Sequence, residues 1–267
     1  MTGDTGYVRK PEAAGENTVR HPHRPLTDYY GSEQERRGYL RGIFDRTAAD
    51  YDRIERFLAI GTGPWYRRQA LLRAGLRPGM QVLDVGVGTG LVAKEAVGIV
   101  GDPSLVTGID PSVGMMSKAR LPAGVRLVQG RAEAIPLGNR SVDFLSMGYA
   151  LRHLSDLRTA FNEFHRVLKP GGRICLLEIS RPESRVQRAL LKSYMRVFVP
   201  MLARIVGAGT DTVELWRYYW DSIDACVAPE DILSLLKDSG FMDVNRCLPH
   251  RRLNMCSEYQ GVCSGDI

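Results

Sequence analysis

The chain has 267 residues, of which 44% are apolar and 25% are charged, so it is long enough to bury a substantial core. Its formal net charge of +6 is compatible with nucleic acid or an anionic membrane as a partner but demonstrates neither. Five cysteines without CxxC or CxxH spacing argue against a disulfide framework and against a zinc site. No apolar run approaches the roughly 18 residues of a membrane span. We predict a cytoplasmic protein without a metal site.

The amino-terminal segment, residues 1–25, lacks the apolar stretch of a secretory signal. Its polar composition predicts a disordered tail. His21 and His23 could hold a metal ion there, although solvent-exposed side chains are the simpler interpretation. Residues 26–267 are predicted to form one domain.

Helical patterns run from about Gly38 to residue 77 and predict a helical cap that ends at Pro78 and Gly79. Short apolar runs then alternate with helical segments. The strand candidates are QVLDVG, LVTGID, VRLVQG, VDFLSMG, GRICLLEIS, DVNRCLP and RLNMCSEY. This alternation predicts an α/β fold with a mostly parallel, seven-stranded sheet and helices on both faces. Further helices over residues 181–225 are predicted to form a lid.

The segment DVGVGTG joins the first strand to the helix after it. Gly86, Gly88 and Gly90 permit positive φ and a close approach of the backbone to a ligand. The loop is not a dinucleotide fingerprint, because Leu91 stands where that motif needs its third glycine, and it lacks the Gly-Lys-Ser/Thr of a P-loop. It fits the Asp-x-Gly-x-Gly-x-Gly loop, here beginning at Asp84, of Rossmann-like methyltransferases that use S-adenosylmethionine (SAM). A tight turn without a ligand is the alternative.

A second acid stands where a cofactor ribose belongs. Asp110 ends the second strand, the position of the ribose-binding carboxylate in Rossmann-like folds. A carboxylate there can accept hydrogen bonds from both ribose hydroxyls. Asp110 is therefore a predicted cofactor residue.

Four longer segments give the sequence a more specific resemblance. They are FDRTAADYDRIE, GRAEAIPLGNRSVDFLSMGYALRHL, FHRVLKPGGRICLLEISRP and WRYYWDSI. Together they resemble the UbiE/COQ5 family of C-methyltransferases in ubiquinone and menaquinone biosynthesis, from about Ile43 to the carboxyl terminus. The resemblance implies a class I SAM methyltransferase fold, SAM as cofactor, and methylation of a ring carbon in a quinone precursor. The alternative is an O-, N- or C-methyltransferase of specialised metabolism on the same scaffold.

The family's SAM contacts can be carried over by position. They fall on Thr89, Asp110, Arg131, Ala132 and Gly148. The family usually has a small polar or acidic residue at position 131, whereas Arg131 has only donors. Either the backbone at this position forms the hydrogen bond to the adenine, or the Arg131 side chain points to solvent. The carboxyl-terminal RRLNMCSEYQG also lacks the glycine-rich stretch usual in the family.

The segment YALRHL carries the predicted catalytic residues at the carboxyl end of the fourth strand, where ligands of open α/β sheets bind. Methylation of a ring carbon is easier when the ring hydroxyl is deprotonated, so the site should stabilise the ring oxyanion. Arg152 stays protonated and cannot act as a base, but it can stabilise that oxyanion as a fixed cation. The resemblance implies that Tyr51 acts with Arg152. His153 replaces the family's asparagine and is either a proton acceptor or an orienting residue. Pairing with Asp156 is the structural alternative for Arg152.

The predicted lid begins with a basic amphipathic helix. Cations recur at three- and four-residue steps: Arg181, Arg185, Arg188, Lys192 and Arg196. An apolar stripe occupies another face: Val186, Leu190, Tyr194 and Val197. The helix either contacts a membrane or packs on the core with its cations in solvent. An aromatic cluster follows: Trp216, Tyr218, Tyr219 and Trp220. It either lines the binding site of a flat ring or packs within the lid.

The predicted partner is a small aromatic or quinone-like molecule, with or without a prenyl chain. A peripheral membrane contact and a homodimer remain open alternatives. Nucleic acid is not predicted, because base-modifying amino-methyltransferases carry an Asp/Asn-Pro-Pro-aromatic block after the fourth strand, where this chain has GYALRHL. A SAM-binding module without catalysis is disfavoured, since the glycines, Asp110 and Arg152 are all present.

Overall fold

A computed structural model gives the architecture over residues 19–58, 62–182, 184–205, 209–249 and 256–265, without the side chains of 51, 53–58 and 205. The strands are β1 Val82–Val85, β2 Val106–Asp110, β3 Arg126–Gln129, β4 Val142–Gly148, β5 Leu168–Ile179, β6 Phe241–Cys247 and β7 Cys256–Cys263. The helices are α1 Glu33–Leu58, α2 Gly63–Arg73, α3 Leu91–Val100, α4 Val113–Ser117, α5 Leu157–Val167, α6 Arg185–Ser193, α7 Val199–Ile205, α8 Thr210–Ala225 and α9 Pro229–Asp238. Short 3₁₀ turns occupy Pro103–Leu105 and Leu151–His153, and a π turn, Tyr194–Phe198, joins α6 to α7.

The seven strands form one sheet in the order β3-β2-β1-β4-β5-β7-β6. Strand β7 runs antiparallel to both of its neighbours, and the pairs from β3 to β5 are parallel. The predicted α/β fold with a mostly parallel seven-stranded sheet is thereby confirmed. The chain winds outward in opposite directions from β1 and β4, so their carboxyl ends form a switch point, the usual ligand site of open α/β sheets.

Local sequence explains the central elements. All four residues of β1 are buried, as expected for a central parallel strand covered on both faces. Helix α5 begins at Asp156, whose carboxylate accepts a hydrogen bond from the Arg158 amide at 3.1 Å. Its buried residues follow the helical period on one face: Leu157, Ala160, Phe161, Phe164 and Val167. That face covers one side of the sheet.

The core consists of three apolar clusters. One lies between the sheet and the helices α5 and α9, and a second between the sheet and the helices α2 and α3. The third joins α1 to the lid helices α6, α7 and α8. Lid and cap therefore pack on each other above the carboxyl edge of the sheet. None of the helices in the described ranges combines the length and apolar character needed to cross a bilayer.

The lid helices turn a different side to the core than the predicted stripe. The buried residues are Leu191, Met195, Val199 and Ala203. Of the predicted stripe, Tyr194 packs partly against this cluster, whereas Val186, Leu190 and Val197 are exposed. On the basic side, Arg188 pairs with Asp224 at 2.7 Å and Arg196 with Asp221 at 2.6 Å, both on α8. The sequence offers two apolar stripes with the same helical spacing, and tertiary packing selects the second.

The end of the predicted tail is packed against the domain. The carbonyl oxygens of Arg20 and Pro22 accept hydrogen bonds from the amides of Leu157 and Val227, at 2.9 and 2.8 Å. His23 is only 5% exposed and forms a bridge with Cys226. Pro22 and His23 are therefore buried, unlike the expected solvent-exposed tail, whereas the other residues of 19–25, including His21, are exposed. Residues 1–18 lie outside the described part.

Candidate active site

A cavity of about 770 Å³ opens at the carboxyl ends of β1, β2 and β4, beneath α1. Its volume lies in the range of small-molecule sites. Most of the predicted cofactor residues line it: Asp84, Gly86, Gly88, Thr89, Asp110, Arg131, Ala132 and Gly148. Gly90 instead forms the amino-terminal cap of α3. The cavity is continuous from this group to His153 and Tyr219.

The glycine loop requires its glycines. The φ angles are 68° at Gly86, 53° at Gly88 and 87° at Gly90, in the left-handed region that other residues rarely adopt. A Cβ on Gly86 would lie 2.8 Å from the Cβ of Ala150, far inside the contact distance of packed carbons. At Gly86 and Gly88 the cavity is therefore lined by backbone.

Asp110 is held as a buried acceptor beside the loop. Its carboxylate accepts hydrogen bonds from the amides of Gly88 at 2.9 Å and Ser112 at 2.8 Å. Burial raises the pKa of Asp110 to about 6, although both amide donors oppose the shift. Each carboxylate oxygen keeps a free lone pair for a further donor from the cavity. The arrangement suits a vicinal diol.

Asp84 lies at the end of β1, deeper in the same wall. It accepts a hydrogen bond from Ser146 Oγ at 2.7 Å, and burial raises its pKa to about 7. Arg67, on α2, is also buried and lines the cavity, and its positive charge favours the ionised form of Asp84. This wall therefore offers both a carboxylate and a guanidinium.

Helix α1 covers the cofactor end of the cavity and is joined to the loops there by two carboxylates. Asp52 Oδ1 accepts a hydrogen bond from Thr89 Oγ1 at 2.5 Å. Asp45 Oδ1 accepts from Ser112 Oγ at 2.5 Å and from the Gly114 amide at 3.0 Å. Because Asp45 and Asp52 are seven residues apart, they share one face of the helix.

The other end of the cavity is aromatic. The His153 ring stacks with both Tyr218 and Tyr219, with centroid distances of 5.6 and 5.7 Å, and Phe44 meets it edge-on at 5.3 Å. Of the predicted aromatic cluster, Tyr219 lines the cavity, while Trp216, Tyr218 and Trp220 pack the lid core. A flat ring can therefore be held at this end by face and edge contacts.

His153 is a neutral imidazole in this setting. Burial and the nearby cations Arg152 and Arg36 hold its pKa well below its ordinary value. Its Nδ1 lies 3.4 Å from Tyr218 Oη, and its Nε2 has no hydrogen-bond partner within the described ranges. The side chain can therefore exchange one hydrogen bond with a ligand without carrying charge.

Arg152 lies behind the cavity wall. It is 0% exposed and forms an ion pair with Glu178, and its Nη1 also donates to the Tyr149 carbonyl at 3.0 Å. The guanidinium carbon is 4.6 Å from the Tyr219 ring centroid. Tyr219, but not Arg152, lines the cavity. The alternative partner, Asp156, instead caps α5 and accepts from the Arg20 amide.

Comparison with known proteins agrees with this geometry. Residues 31–247 match the ubiE/COQ5 methyltransferase family. The chain belongs to that family. The ubiquinone/menaquinone biosynthesis C-methyltransferase UbiE of Coxiella burnetii is 30% identical over 211 residues, which are 76% of this chain and 83% of the relative. A demethylmenaquinone methyltransferase of Symbiobacterium thermophilum is 31% identical over 80% of this chain and 89% of its own.

Solved structures show the same fold at lower identity. A SAM-dependent methyltransferase of Thermotoga maritima, described as a possible histamine N-methyltransferase, has a TM-score of 0.58 and 23% identity. The match covers 84% of this chain and 99% of the other. The protein is thus a SAM-dependent methyltransferase with a Rossmann-like fold, as the glycine loop predicts.

The cofactor end of the cavity fits SAM. Asp110 offers carboxylate oxygens for the ribose diol, and Gly86 and Gly88 of the loop add no side chain to the wall. SAM's methionine end carries an ammonium and a carboxylate, and this enzyme places Asp84 and Arg67 in the same wall. Residue types and charges therefore match those of the cofactor.

The Arg131 side chain is 39% exposed and also pairs with a neighbouring acid, while adenine contact by the backbone stays a prediction. Its Nη2 lies 3.2 Å from Glu133 Oε2 and 3.2 Å from Ser155 Oγ. Glu133 also accepts from the Ser155 amide at 2.6 Å and lines the cavity. An acid therefore lines the cavity two residues after position 131, paired with Arg131.

Several site residues were not identified from the sequence. Asp45 and Asp52 lie within a segment that resembles the family, and their seven-residue spacing was a usable signal. Arg67 and Glu178 had none, because one is an arginine in a basic helix and the other lies in an apolar strand. Tyr51 belongs to α1, but its side chain is outside the described residues, so its catalytic role stays a prediction.

Proposed function

We propose that this enzyme methylates a ring carbon of a hydroxylated quinone precursor. The two relatives that share its family support this proposal, since they are named as quinone-biosynthesis methyltransferases. One observation carries the proposal: His153, stacked with Tyr218 and Tyr219, lines the same cavity as Asp110. The aromatic end, where a flat hydroxylated ring fits, is continuous with the cofactor end of the cavity.

SAM supplies an electrophilic methyl group when bound. A ring carbon beside a hydroxyl becomes a better nucleophile as that hydroxyl loses its proton, and an isolated phenol has a pKa near 10. The neutral His153 imidazole accepts a hydrogen bond from the hydroxyl, which raises the electron density on the ring oxygen and on the carbon beside it without transferring the proton. Phe44 and Tyr219 fix the ring by edge and face contacts, which orients its carbon.

We assign Arg152 a positioning role in this reaction. Its guanidinium is enclosed by Glu178 and Tyr219, so direct donation to a ring oxygen does not fit its position. It instead packs on the Tyr219 ring and donates to the carbonyl of Tyr149, and both tyrosines line the cavity. A cation beneath an aromatic ring also fixes that ring in place.

The reaction is tested with SAM carrying a ¹³C-labelled methyl group. The acceptors are benzoquinols and naphthoquinols, each with and without an isoprenoid chain. We expect the label on a ring carbon, identified by NMR and mass spectrometry, and only with the reduced, hydroxylated ring. A label on oxygen or nitrogen, or equal transfer to the oxidised quinone, would contradict the proposal. Comparing the acceptors with and without the isoprenoid chain also shows whether the enzyme requires that isoprenoid chain.

Replacing His153 separates its two predicted roles. Because its pKa is held well below neutrality, His153 contributes no titration near pH 7. We expect His153→Asn, which keeps one hydrogen bond, to change kcat by less than about tenfold with an unchanged pH profile. His153→Phe should lose about tenfold or more, the cost of an unmade hydrogen bond. Loss of a pH–rate limb near neutrality in the asparagine variant would instead show a proton acceptor. His165→Asn, away from the cavity, is the control.

The raised pKa of Asp110 predicts how SAM binding depends on pH. Ribose hydroxyls donate to an ionised carboxylate, and protonation below about pH 6 removes that acceptor. SAM affinity should therefore be highest above pH 7 and fall as the pH drops through 6. Calorimetry between pH 8 and 5 measures this. Since Asp84 and the SAM amine also titrate, the test is the difference from Asp110→Asn, and identical profiles would contradict it.

A further inference from the structure

The outer face of the lid helices carries a continuous apolar stripe. We name as the lid stripe the residues Val186, Leu190, Val197, Phe198 and Met201, which are 69%, 66%, 64%, 49% and 51% exposed. They are four, seven, one and three positions apart through α6, the π turn and α7, and at about 100° per residue these positions fall on one side. From the first to the last, the stripe is about 22 Å long.

The lid stripe is not needed for packing. Leu191, Met195, Val199 and Ala203 on the inner side already join the third apolar cluster. Exposed apolar residues are usually scattered singly, whereas a contiguous group marks a contact surface. The stripe is therefore available to a partner.

The charges around the lid stripe identify that partner. Residues 184–205 contain five cations and no aspartate or glutamate. Two of the cations, Arg188 and Arg196, are neutralised by acids of α8. Across the described ranges, no ion pair or hydrogen bond engages the other three, Arg185, Lys192 and Arg204. Free cations thus flank an apolar surface.

We propose that the lid stripe docks on the surface of an anionic lipid bilayer. Apolar side chains that enter the headgroup boundary, flanked by cations that meet lipid phosphates, are the features of an interfacial helix. A second copy of this chain is a poorer partner, because two such faces would oppose cation to cation. The bilayer satisfies both the apolar and the charged components.

The location of the lid stripe gives the contact a consequence for the enzyme. The inner side of α6 and α7 packs against α8, which carries Tyr219 at the aromatic end of the cavity. One helical layer therefore separates the bilayer from the acceptor end. An acceptor with an apolar chain would be concentrated next to this end.

Co-sedimentation with vesicles tests the proposal without methyl transfer, so its outcome is independent of the proposed reaction. We expect binding to phosphatidylcholine vesicles containing phosphatidylglycerol to exceed binding to phosphatidylcholine alone by about tenfold or more. Replacing Leu190, Val197 and Phe198 together by serine should lower the partition coefficient about tenfold or more. Met242→Ser, at an apolar residue that is 53% exposed on β6, should bind like the wild type.

A charge pair completes the test. The double variant Arg185→Glu, Lys192→Glu should lose the preference for anionic lipid, whereas Lys94→Glu, Lys237→Glu, with the same change in net charge, should keep it. Loss in both double variants would show attraction by net charge alone and overturn the proposal. Unchanged binding by the serine variant would also overturn it. If that variant instead turns a dimer into a monomer in light scattering and no vesicles bind, the stripe is an interface between copies.

Discussion

Arg152→Ala is expected to lower the free energy of unfolding by about 3–5 kcal/mol, because it leaves Glu178 buried without its cation. Both side chains of the pair are at most 2% exposed. Urea unfolding followed by circular dichroism measures the change. Among the folded molecules, kcat should fall about a hundredfold, the effect of misplacing a site group by about 1 Å. SAM affinity should stay close to the wild-type value, since Asp110 is not disturbed.

Two comparisons isolate the role of the ion pair. Arg196→Ala, which breaks the more exposed pair with Asp221, should cost less than about 1 kcal/mol. The double variant Arg152→Met, Glu178→Leu should recover most of the stability, because no buried charge is left unpaired. If it also recovers kcat, Arg152 acts through packing alone. A loss below about 1 kcal/mol in Arg152→Ala would contradict the buried pair.

Asp110→Ala is expected to weaken SAM binding by about a hundredfold. The ribose diol loses two hydrogen bonds to a charged acceptor, each contributing about 1.5 kcal/mol or more, and about 3 kcal/mol corresponds to that factor. Calorimetry measures the dissociation constant. Unfolding of the variant should be measured too, because the carboxylate also accepts from the Gly88 and Ser112 amides.

The matched control for this variant is Asp102→Ala. Asp102 is an exposed acid that caps the 3₁₀ turn after α3 and does not line the cavity. Its variant should bind SAM like the wild type. A dissociation constant within threefold of wild type for Asp110→Ala would refute the ribose assignment.

The sequence predicts those parts of the fold that depend on neighbouring residues. The strands and the loop from Asp84 to Gly90 were predicted because burial, turns and positive φ each leave a local signature. Asp110 was predicted because the Rossmann-like order places the acid at a fixed position. These features require no knowledge of which distant residues meet.

The rest of the site depends on distant contacts. Arg152 and Glu178 pair across 26 positions, and a glutamate within an apolar strand does not reveal which cation neutralises it. His153 was recognised, but its lowered pKa depends on burial and on the nearby cations Arg152 and Arg36, and Arg36 is distant in the sequence. In the lid, two stripes share the same spacing, so periodicity could not show which one is buried.

Helix α1 takes part in both ends of the cavity. Leu40 and Phe44 lie at the aromatic end, while Asp45 and Asp52 hold the loops of the cofactor end. Any shift of this helix when one ligand binds therefore changes the free energy of binding the other. Such coupling is reciprocal: SAM alters the affinity of the acceptor by the same factor by which the acceptor alters that of SAM. A single rigid helix thus makes the two binding equilibria interdependent.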